Sequence, residues 1–363
     1  MSDTIEAPIL GAPAADLSPG REMEDREAAG AGLDAPARPR LGFLGVGWIG
    51  RHRMEAVRDA GDCEVAAIAD PSADGVDAAR AAVPGAEAAE GLDALLEMGL
   101  DGIVIATPSA LHAEQAVRAL EAGCAVFCQK PLGRTAAEAQ WVVDAARAAD
   151  RLLGVDLSYR FTEGMRRIRE QVRGGALGRV YAAELVFHNA YGPDKPWFYD
   201  RAQSGGGCVM DLGIHLVDLA LWTLDFPAVR RVDGRLFARG APLGARPEMV
   251  EDHALATIEL EDGAVVRLAC SWNLPAGQDA VIAAEFYGTA GGAAFRNADG
   301  GFYDFIAEHF DGTMRTRLAS PPDAWGGRAA VDWARRLAAG ARFDPAVERI
   351  VEVASVLDRV YGR

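Results

Sequence analysis

No stretch of this 363-residue chain approaches twenty uninterrupted apolar residues, so no membrane-spanning helix is expected. Basic residues are few relative to acidic ones. The 37 Lys and Arg against 53 Asp and Glu give a formal net charge of −16. That balance argues against nucleic acid or an anionic lipid surface as a general partner, because both are held by clustered cations. Cysteine is sparse and odd in number: Cys63, Cys124, Cys128, Cys208 and Cys270 contain no CxxC pair. Neither a disulfide framework nor a zinc ribbon is expected, and the five read as reduced core residues of a cytoplasmic protein. The first residues lack the basic start and apolar core of a secretory signal. Residues 1–39, rich in Ala, Pro and Gly with an acidic cluster at Glu22, Glu24, Asp25 and Glu27, show no sustained apolar periodicity and are expected to be disordered.

Half of the residues are apolar, enough for two domains with sizeable cores. From residue 40, apolar runs at Leu41–Leu44, Val65–Ala69, Ile103–Ala106, Ala125–Cys128 and Leu152–Leu157 alternate with helical patterns such as Glu114–Glu121 and Ala136–Ala148. This spacing predicts a doubly wound parallel sheet over 40–157. Beyond Asp156 the strands lengthen and follow one another in hairpin fashion, at Val180–Phe187, Ala254–Leu260, Ala264–Cys270 and Val281–Tyr287, with Glu261-Asp262-Gly263 as a turn signal. Residues 158–363 are therefore expected to form an α+β domain on an open, mostly antiparallel or mixed sheet, with helices near 162–173, 209–224, 325–339 and 346–360.

The most specific stretch is Gly45-Val46-Gly47-Trp48-Ile49-Gly50, which follows the first strand, opens a helix and precedes Asp70 at the end of the second strand. GxGxxG alone is weak. Strand, glycine turn, helix, second strand and terminal acid in that order form a dinucleotide fingerprint. Gly45 permits the tight turn, Gly47 lets the backbone approach a pyrophosphate, and Gly50 lets helix and strand pack closely. The helix N-terminus then favours the anion. NAD is the expected cofactor over NADP, because Asp70 suits ribose hydroxyls and Pro71-Ser72-Ala73-Asp74 offers no cation for a 2′-phosphate.

Thr107-Pro108 and Gln129-Lys130-Pro131 end two further strands on the edge where such sheets bind ligands. Lys130 there is either a solvated strand-end charge or a site residue. Asp211 and His215, four apart after Ser204-Gly205-Gly206-Gly207, share one face of a helix. They could form a surface polar pair, an acid/base site or two zinc ligands, the last being least favoured without HExxH or a Cys/His cluster. His112 reads as a helix-start residue near the cofactor or a packing residue. Tyr159 and Arg160 could line the cleft, and His188, Tyr191, Lys195 and Trp197 fall in or beside a Pro- and Gly-containing loop that suits either sugar contact or surface anchoring.

Taken together, Gly45–Gly50, Thr107-Pro108-Ser109-Ala110-Leu111-His112, Lys130-Pro131, Tyr159-Arg160-Phe161 and Asp211–His215 resemble the Gfo/Idh/MocA family, the glucose-fructose oxidoreductase and inositol dehydrogenase group, over about residues 40–363. The resemblance implies a Rossmann domain, a C-terminal domain whose open sheet mediates a homodimer or homotetramer, and Lys130, Asp211 and His215 converging on a sugar or polyol beside the nicotinamide. Trp48, Ile49, Thr107, Pro108, His112 and Gln129 would join the glycines and Asp70 around the cofactor. One departure stands out: the family's usual Glu-Lys-Pro is Gln129-Lys130-Pro131 here, and an amide offers Lys130 no negative neighbour. His215 would act as base, Lys130 would stabilise charge on the reacting oxygen, and Asp211 would orient His215 or bind a second hydroxyl. The leading expectation is an NAD(P)-dependent dehydrogenase or reductase of a sugar, sugar derivative or cyclitol. The alternatives are an NAD-dependent glycoside hydrolase using transient oxidation and a non-catalytic dinucleotide-binding regulator.

Overall fold

Strands that are apolar nearly throughout must be covered on both faces, and four short runs here are of that kind. In the computed structural model, which describes residues 38–245 and 248–363, these are β1 (Arg40–Leu44), β2 (Glu64–Ala69), β4 (Gly102–Ile105) and β5 (Ala125–Cys128). With the short β3 (Glu87–Ala88) and β6 (Leu153–Val155) they form a six-stranded sheet, every pair parallel, in the order β3-β2-β1-β4-β5-β6. The crossovers are α1 (Trp48–Ala60), α2 (Ala73–Ala82), α3 (Leu92–Glu97), α4 (Ser109–Glu121) and α5 (Ala136–Ala149). The strand order reverses between β1 and β4, so the turns leaving those two strands flank the crevice where such sheets take ligands. The disorder expected of residues 1–39 concerns, up to residue 37, a segment outside the described residues.

The second sheet has nine strands: β7 (Val180–Asn189), β8 (Val229–Ala238), β9 (Ala241–Pro242), β10 (His253–Leu260), β11 (Val265–Ser271), β12 (Ala280–Gly288), β13 (Gly292–Asn297), β14 (Phe305–Asp311) and β15 (Met314–Ala319). Their order is β15-β14-β13-β12-β7-β11-β10-β8-β9, antiparallel except for the β7–β11 pair. The expected hairpin turn lies at Gly263, with φ +87°, between β10 and β11. Along β10 the side chains alternate: Ala254, Ala256, Ile258 and Leu260 are buried, while Leu255 on the opposite face is exposed. The inner face packs against α6 (Glu163–Arg173), α8 (Ile214–Thr223) and α10 (Arg349–Val360). The other α-helices in this part of the chain are the short α7 (Arg201–Ser204) and α9 (Arg328–Ala338). The helical stretch Arg201–Thr223 is long and apolar enough to cross a membrane, but it is buried inside the protein as a core helix.

One C-terminal helix packs on the first sheet. Helix α9 belongs to the C-terminal part of the chain, yet Ala329, Ala330, Trp333 and Ala334 pack with Leu41, Phe43, Val104 and Phe127 of the first sheet. The cause is shape. A Cβ on Gly102 or Gly154 would lie 2.9 and 2.8 Å from the Trp333 ring, so the two glycines leave the slot that the indole fills. Residues 38–363 form one compact unit.

Candidate active site

The turns leaving β1 and β4 meet because their glycines allow it. Gly45 has φ +88°, and a Cβ there would lie 2.5 Å from the Ala106 carbonyl oxygen; one on Gly50 would lie 2.1 Å from the Gly45 oxygen. A Cβ on Gly47 would meet nothing within 4 Å, so the backbone faces open space at the N-terminus of α1. That combination of two blocked positions and one open one is the cradle a pyrophosphate requires. Asp70 closes it from the side: its Oδ2 accepts from Val46 N at 2.8 Å and its Oδ1 from Ser72 N at 2.8 Å, with a second lone pair on each oxygen available. The residues present therefore fit a dinucleotide.

From this cradle a cavity of about 980 Å³ extends between the two sheets, lined at the cradle end by Gly47, Trp48, Ile49, Thr107 and Pro108. His112, buried on α4, has its ring nitrogens 2.7 Å from the carbonyl oxygens of Thr107 and Pro131, which ties together the loops leaving β4 and β5. The Lys130–Pro131 peptide is cis. Gln129, Lys130, Asp211 and His215 line the same cavity, as do Tyr159, Lys195 and Trp197.

The polar geometry is specific. Lys130 Nζ donates to Asp211 Oδ1 at 2.6 Å and to the Asp211 carbonyl oxygen at 2.9 Å, and Trp272 Nε1 donates to Asp211 Oδ2 at 3.0 Å. Both carboxylate oxygens of Asp211 are thus engaged by groups other than His215. Asp211 sits in a π-helical turn, Val209–Gly213, that runs into α8, a local widening often found at functional sites. That turn is anchored by buried Glu251, whose Oε1 accepts from Gly207 N at 2.9 Å, Val209 N at 3.0 Å and Tyr361 OH at 2.6 Å. His215 makes no protein hydrogen bond with its ring among the described residues. Tyr159 meets it edge-on, with ring centres 4.9 Å apart. Burial, and then the charges of Lys130 and Arg53, hold the His215 imidazole well below its ordinary range, so it is neutral at neutral pH.

Beneath the pair lies a drier network that sequence reasoning missed. Gln129 Nε2 donates to Asp156 Oδ2 at 2.5 Å, and Arg53 Nε donates to the same oxygen at 2.6 Å. The only signals for it were the position of Asp156 just past β6, on the ligand-binding edge, and an arginine three residues after Gly50. The network accounts for the amide at 129: a second carboxylate would face Asp156. The negative neighbour that Gln129 cannot supply to Lys130 comes from Asp211.

Other candidates lie elsewhere. Arg160 pairs with both oxygens of buried Asp218, its Nε at 2.8 Å from Oδ2, and is not part of the cavity lining. Tyr191 is exposed and donates to Asp279 Oδ1 at 2.6 Å, and His188 pairs with Ser271 Oγ at 2.8 Å; neither lines the cavity. Beyond Trp48, Tyr159 and Trp197, the aromatic residues Phe198, Phe302, Tyr303 and Trp325 also line it and were not singled out from the sequence. Among the described residues no group of three or more His, Cys, Asp or Glu is arranged to hold a metal ion.

Comparison with known proteins agrees with this architecture. Residues 40–157 match the model of the oxidoreductase family with an NAD-binding Rossmann fold, and residues 165–294 match the GFO/IDH/MocA C-terminal domain. A D-glucoside 3-dehydrogenase of Escherichia coli (strain K12) is 32% identical over 212 residues, which are 55% of this chain and 60% of that protein. The chain thus spans about three-fifths of that relative's length. An inositol 2-dehydrogenase of Leifsonia xyli subsp. xyli is 32% identical over 69% of this chain and 72% of its own. The solved structure of a 3-ketoreductase from Actinomadura kijaniata in complex with NADP and TDP-benzene superposes with a TM-score of 0.77 at 22% identity, over 90% of this chain and 97% of that one, and shares the fold. The chain belongs to the GFO/IDH/MocA family of oxidoreductases.

Proposed function

We propose that this protein is an NAD-dependent dehydrogenase or reductase that interconverts a secondary alcohol and a ketone on a sugar, sugar derivative or cyclitol. The observation that carries the reading is the joining of Lys130, Asp211 and His215 to the glycine cradle in one cavity. When bound, the nicotinamide supplies the hydride acceptor or donor. Gly47 and the N-terminus of α1 would hold the pyrophosphate, and Asp70 the ribose hydroxyls. His215, neutral and without a protein partner, takes the hydroxyl proton in the oxidative direction. The Lys130 ammonium has three N–H donors and directs two at Asp211; the third is free to hold the reacting oxygen and stabilise charge on it. Asp211 acts through Lys130, as a positioning residue.

The reading is tested with a panel of polyols, glycosides, keto-sugars and cyclitols, followed by nicotinamide absorbance in both directions. Net NADH accumulation is expected; product release without it would indicate a redox-neutral hydrolase, and binding without turnover a regulator. NAD is expected to exceed NADP about ten- to a hundredfold in efficiency, since Asp70 favours hydroxyls over a phosphate by one charge-assisted hydrogen bond. We also infer a homodimer or homotetramer formed through the outer face of the nine-stranded sheet, where Tyr181 and Leu255 are exposed. Light scattering at micromolar concentration tests it. A cytoplasmic location is supported by five free, buried cysteines, with the Cys270 thiol donating to the Cys208 sulfur at 3.8 Å and no disulfide joining them.

A further inference from the structure

From the charge pairing and the aromatic walls of the cavity we infer that the substrate is an uncharged saccharide or cyclitol with an apolar ring face, and that phosphorylated, nucleotide-linked and acidic sugars are excluded. The inference rests on the reading of this cavity as the substrate site. Among the described residues, the lining carries four cations and four carboxylates, and each cation is already matched. Lys130 pairs with Asp211 at 2.6 Å and Arg53 with Asp156 at 2.6 Å. Arg328 pairs with Asp323 at 2.5 Å, and it also donates to the Phe161 carbonyl oxygen at 3.0 Å. The fourth pair, Lys195–Asp194 at 3.0 Å, is exposed and is the one that water screens most.

The three histidines in the lining offer a substrate no free cation. Burial is the leading cause that lowers all three below the ordinary range; His52 and His215 are neutral at neutral pH, and both ring nitrogens of buried His112 are taken up by the carbonyl oxygens of Thr107 and Pro131. Asp156 Oδ1 is buried without a hydrogen-bond partner, an acceptor that would repel an anion. A dinucleotide on the α1 N-terminus would bring its own negative pyrophosphate to the same cavity. A phosphate or carboxylate on the substrate would have to compete with a carboxylate for its cation, with no unpaired cation among the described lining residues to offset the exchange.

The remaining walls suit a neutral ring. Trp325 lies with its ring centre 5.0 Å from that of Tyr159 and 6.5 Å from that of Tyr303, and Trp197 stacks on Phe198 at 3.8 Å. Aromatic faces are electron-rich and accept the C–H face of a sugar or cyclitol, while the paired charges and hydroxyls around Lys130 and His215 serve its O–H groups.

The test uses the full chain and sugars that share one ring: methyl glucoside and glucose against glucose 6-phosphate, glucuronate and UDP-glucose, with inositol against an inositol phosphate. Each is assayed for NAD reduction and, separately, for binding by calorimetry with NADH present. The neutral members should lead their charged partners by at least about 10²-fold in kcat/KM or in Kd, as like-charge exclusion from a buried site predicts. A charged member equal to or better than its neutral partner overturns the inference. So does the absence of binding and turnover for every neutral member at tens of millimolar. Neutral binding with no redox in either direction would leave this inference standing and remove the oxidoreductase reading. Two kinds of variant sharpen it. Asp194→Asn frees Lys195 and should strengthen binding of the phosphate analogue several-fold relative to the neutral sugar; an equal effect on both would count against the charge argument. Tyr303→Ala and Trp197→Leu should each raise KM for the neutral sugar several-fold with a smaller effect on kcat, and an unchanged KM in both would remove the aromatic wall from the argument.

Discussion

The two walls of the cavity are made of different material. The cradle wall, from Gly47, Trp48 and Ile49 with Thr107 and Pro108, is set by the backbone of the glycine turn, and what it offers a ligand is N–H groups and space. The opposite wall, from Lys130, Asp211 and His215, with Trp272 bonded to Asp211 from behind, is side chain, and it offers charge and proton transfer. The backbone wall is set by six consecutive residues, whereas the side-chain wall needs the loop after β5 to meet a helix eighty-one residues away in sequence. The difference teaches where each function is vulnerable. Space is lost by adding one carbon; proton transfer is lost by removing one imidazole.

The largest expected effect is on the side-chain wall. His215→Ala should lower turnover by roughly 10²–10⁴, the usual contribution of a positioned acid/base group, while dinucleotide affinity measured by NADH fluorescence stays near wild type. Loss of both together would mean that His215 supports the cradle, and the contrast between the walls would collapse. Near-normal turnover on the true substrate would shift the role of base to another group, Lys130 first.

Next comes the dry network below both walls. Gln129→Glu sets a second carboxylate against Asp156, where Gln129 Nε2 now lies 2.5 Å from Oδ2. An ionised carboxylate introduced there is expected to cost about 3 kcal/mol, as for a buried charge without a partner. The sign with pH follows. The folded-state pKa of the introduced carboxyl would be raised above its unfolded value, so the penalty is small at acid pH and grows as pH rises from the unfolded pKa toward the folded one. Denaturant midpoints at pH 5 and pH 8 measure it. An equal or greater stability of the variant at pH 8 would show that the family's usual glutamate is tolerated beside Asp156.

This contrast also decides what could be read from the sequence. The parallel sheet, the glycine turn and the order of the helices were legible because each depends on local periodicity or on a few adjacent residues. The paired hairpin strands β10 and β11 were legible through Gly263. Strands β8, β13, β14 and β15 were not anticipated; on β8 and β15 the outer faces carry charges such as Arg231, Asp233 and Arg317 that hide the apolar alternation. Lys130, Asp211 and His215 were candidates from the outset. Their pairing was not, because four-residue spacing suggested an Asp211–His215 contact, whereas the π-turn and the loop after β5 bring Lys130 to Asp211 instead. Arg160 shows the converse: its neighbours in sequence suggest a cleft residue, and Asp218, fifty-eight residues on, takes it.

A smaller effect separates space from stability within the cradle. Gly50→Ala places a carbon against the Gly45 carbonyl and should destabilise the fold by about 1–3 kcal/mol, the range for overpacking. Gly47→Ala meets no protein atom within 4 Å, so its melting temperature should barely move. Its affinity for NADH should fall about tenfold, equivalent to ~1.4 kcal/mol, because the methyl occupies the approach of the pyrophosphate. Equal affinity in wild type and Gly47→Ala would place the pyrophosphate elsewhere.

The smallest expected effect joins the walls electrostatically. Catalysis in the oxidative direction needs neutral His215, so the rate rises with pH through its ionisation, and that limb lies below the ordinary histidine value of 6.5 because burial and the positive charges of Lys130 and Arg53 depress it. Lys130→Met removes one of those charges and leaves burial and Arg53 in place. The limb should therefore move upward, since one of the positive charges that depress the His215 ionisation is gone. Turnover at the plateau falls as well, because Lys130 no longer holds the reacting oxygen, so the position of the limb and not its height carries the test. Asp211→Asn should move the limb the other way, by exposing His215 to a Lys130 charge no longer neutralised by its partner at 2.6 Å. A limb that stays fixed in both variants would mean that the ionisation governing the rate belongs to a group other than His215.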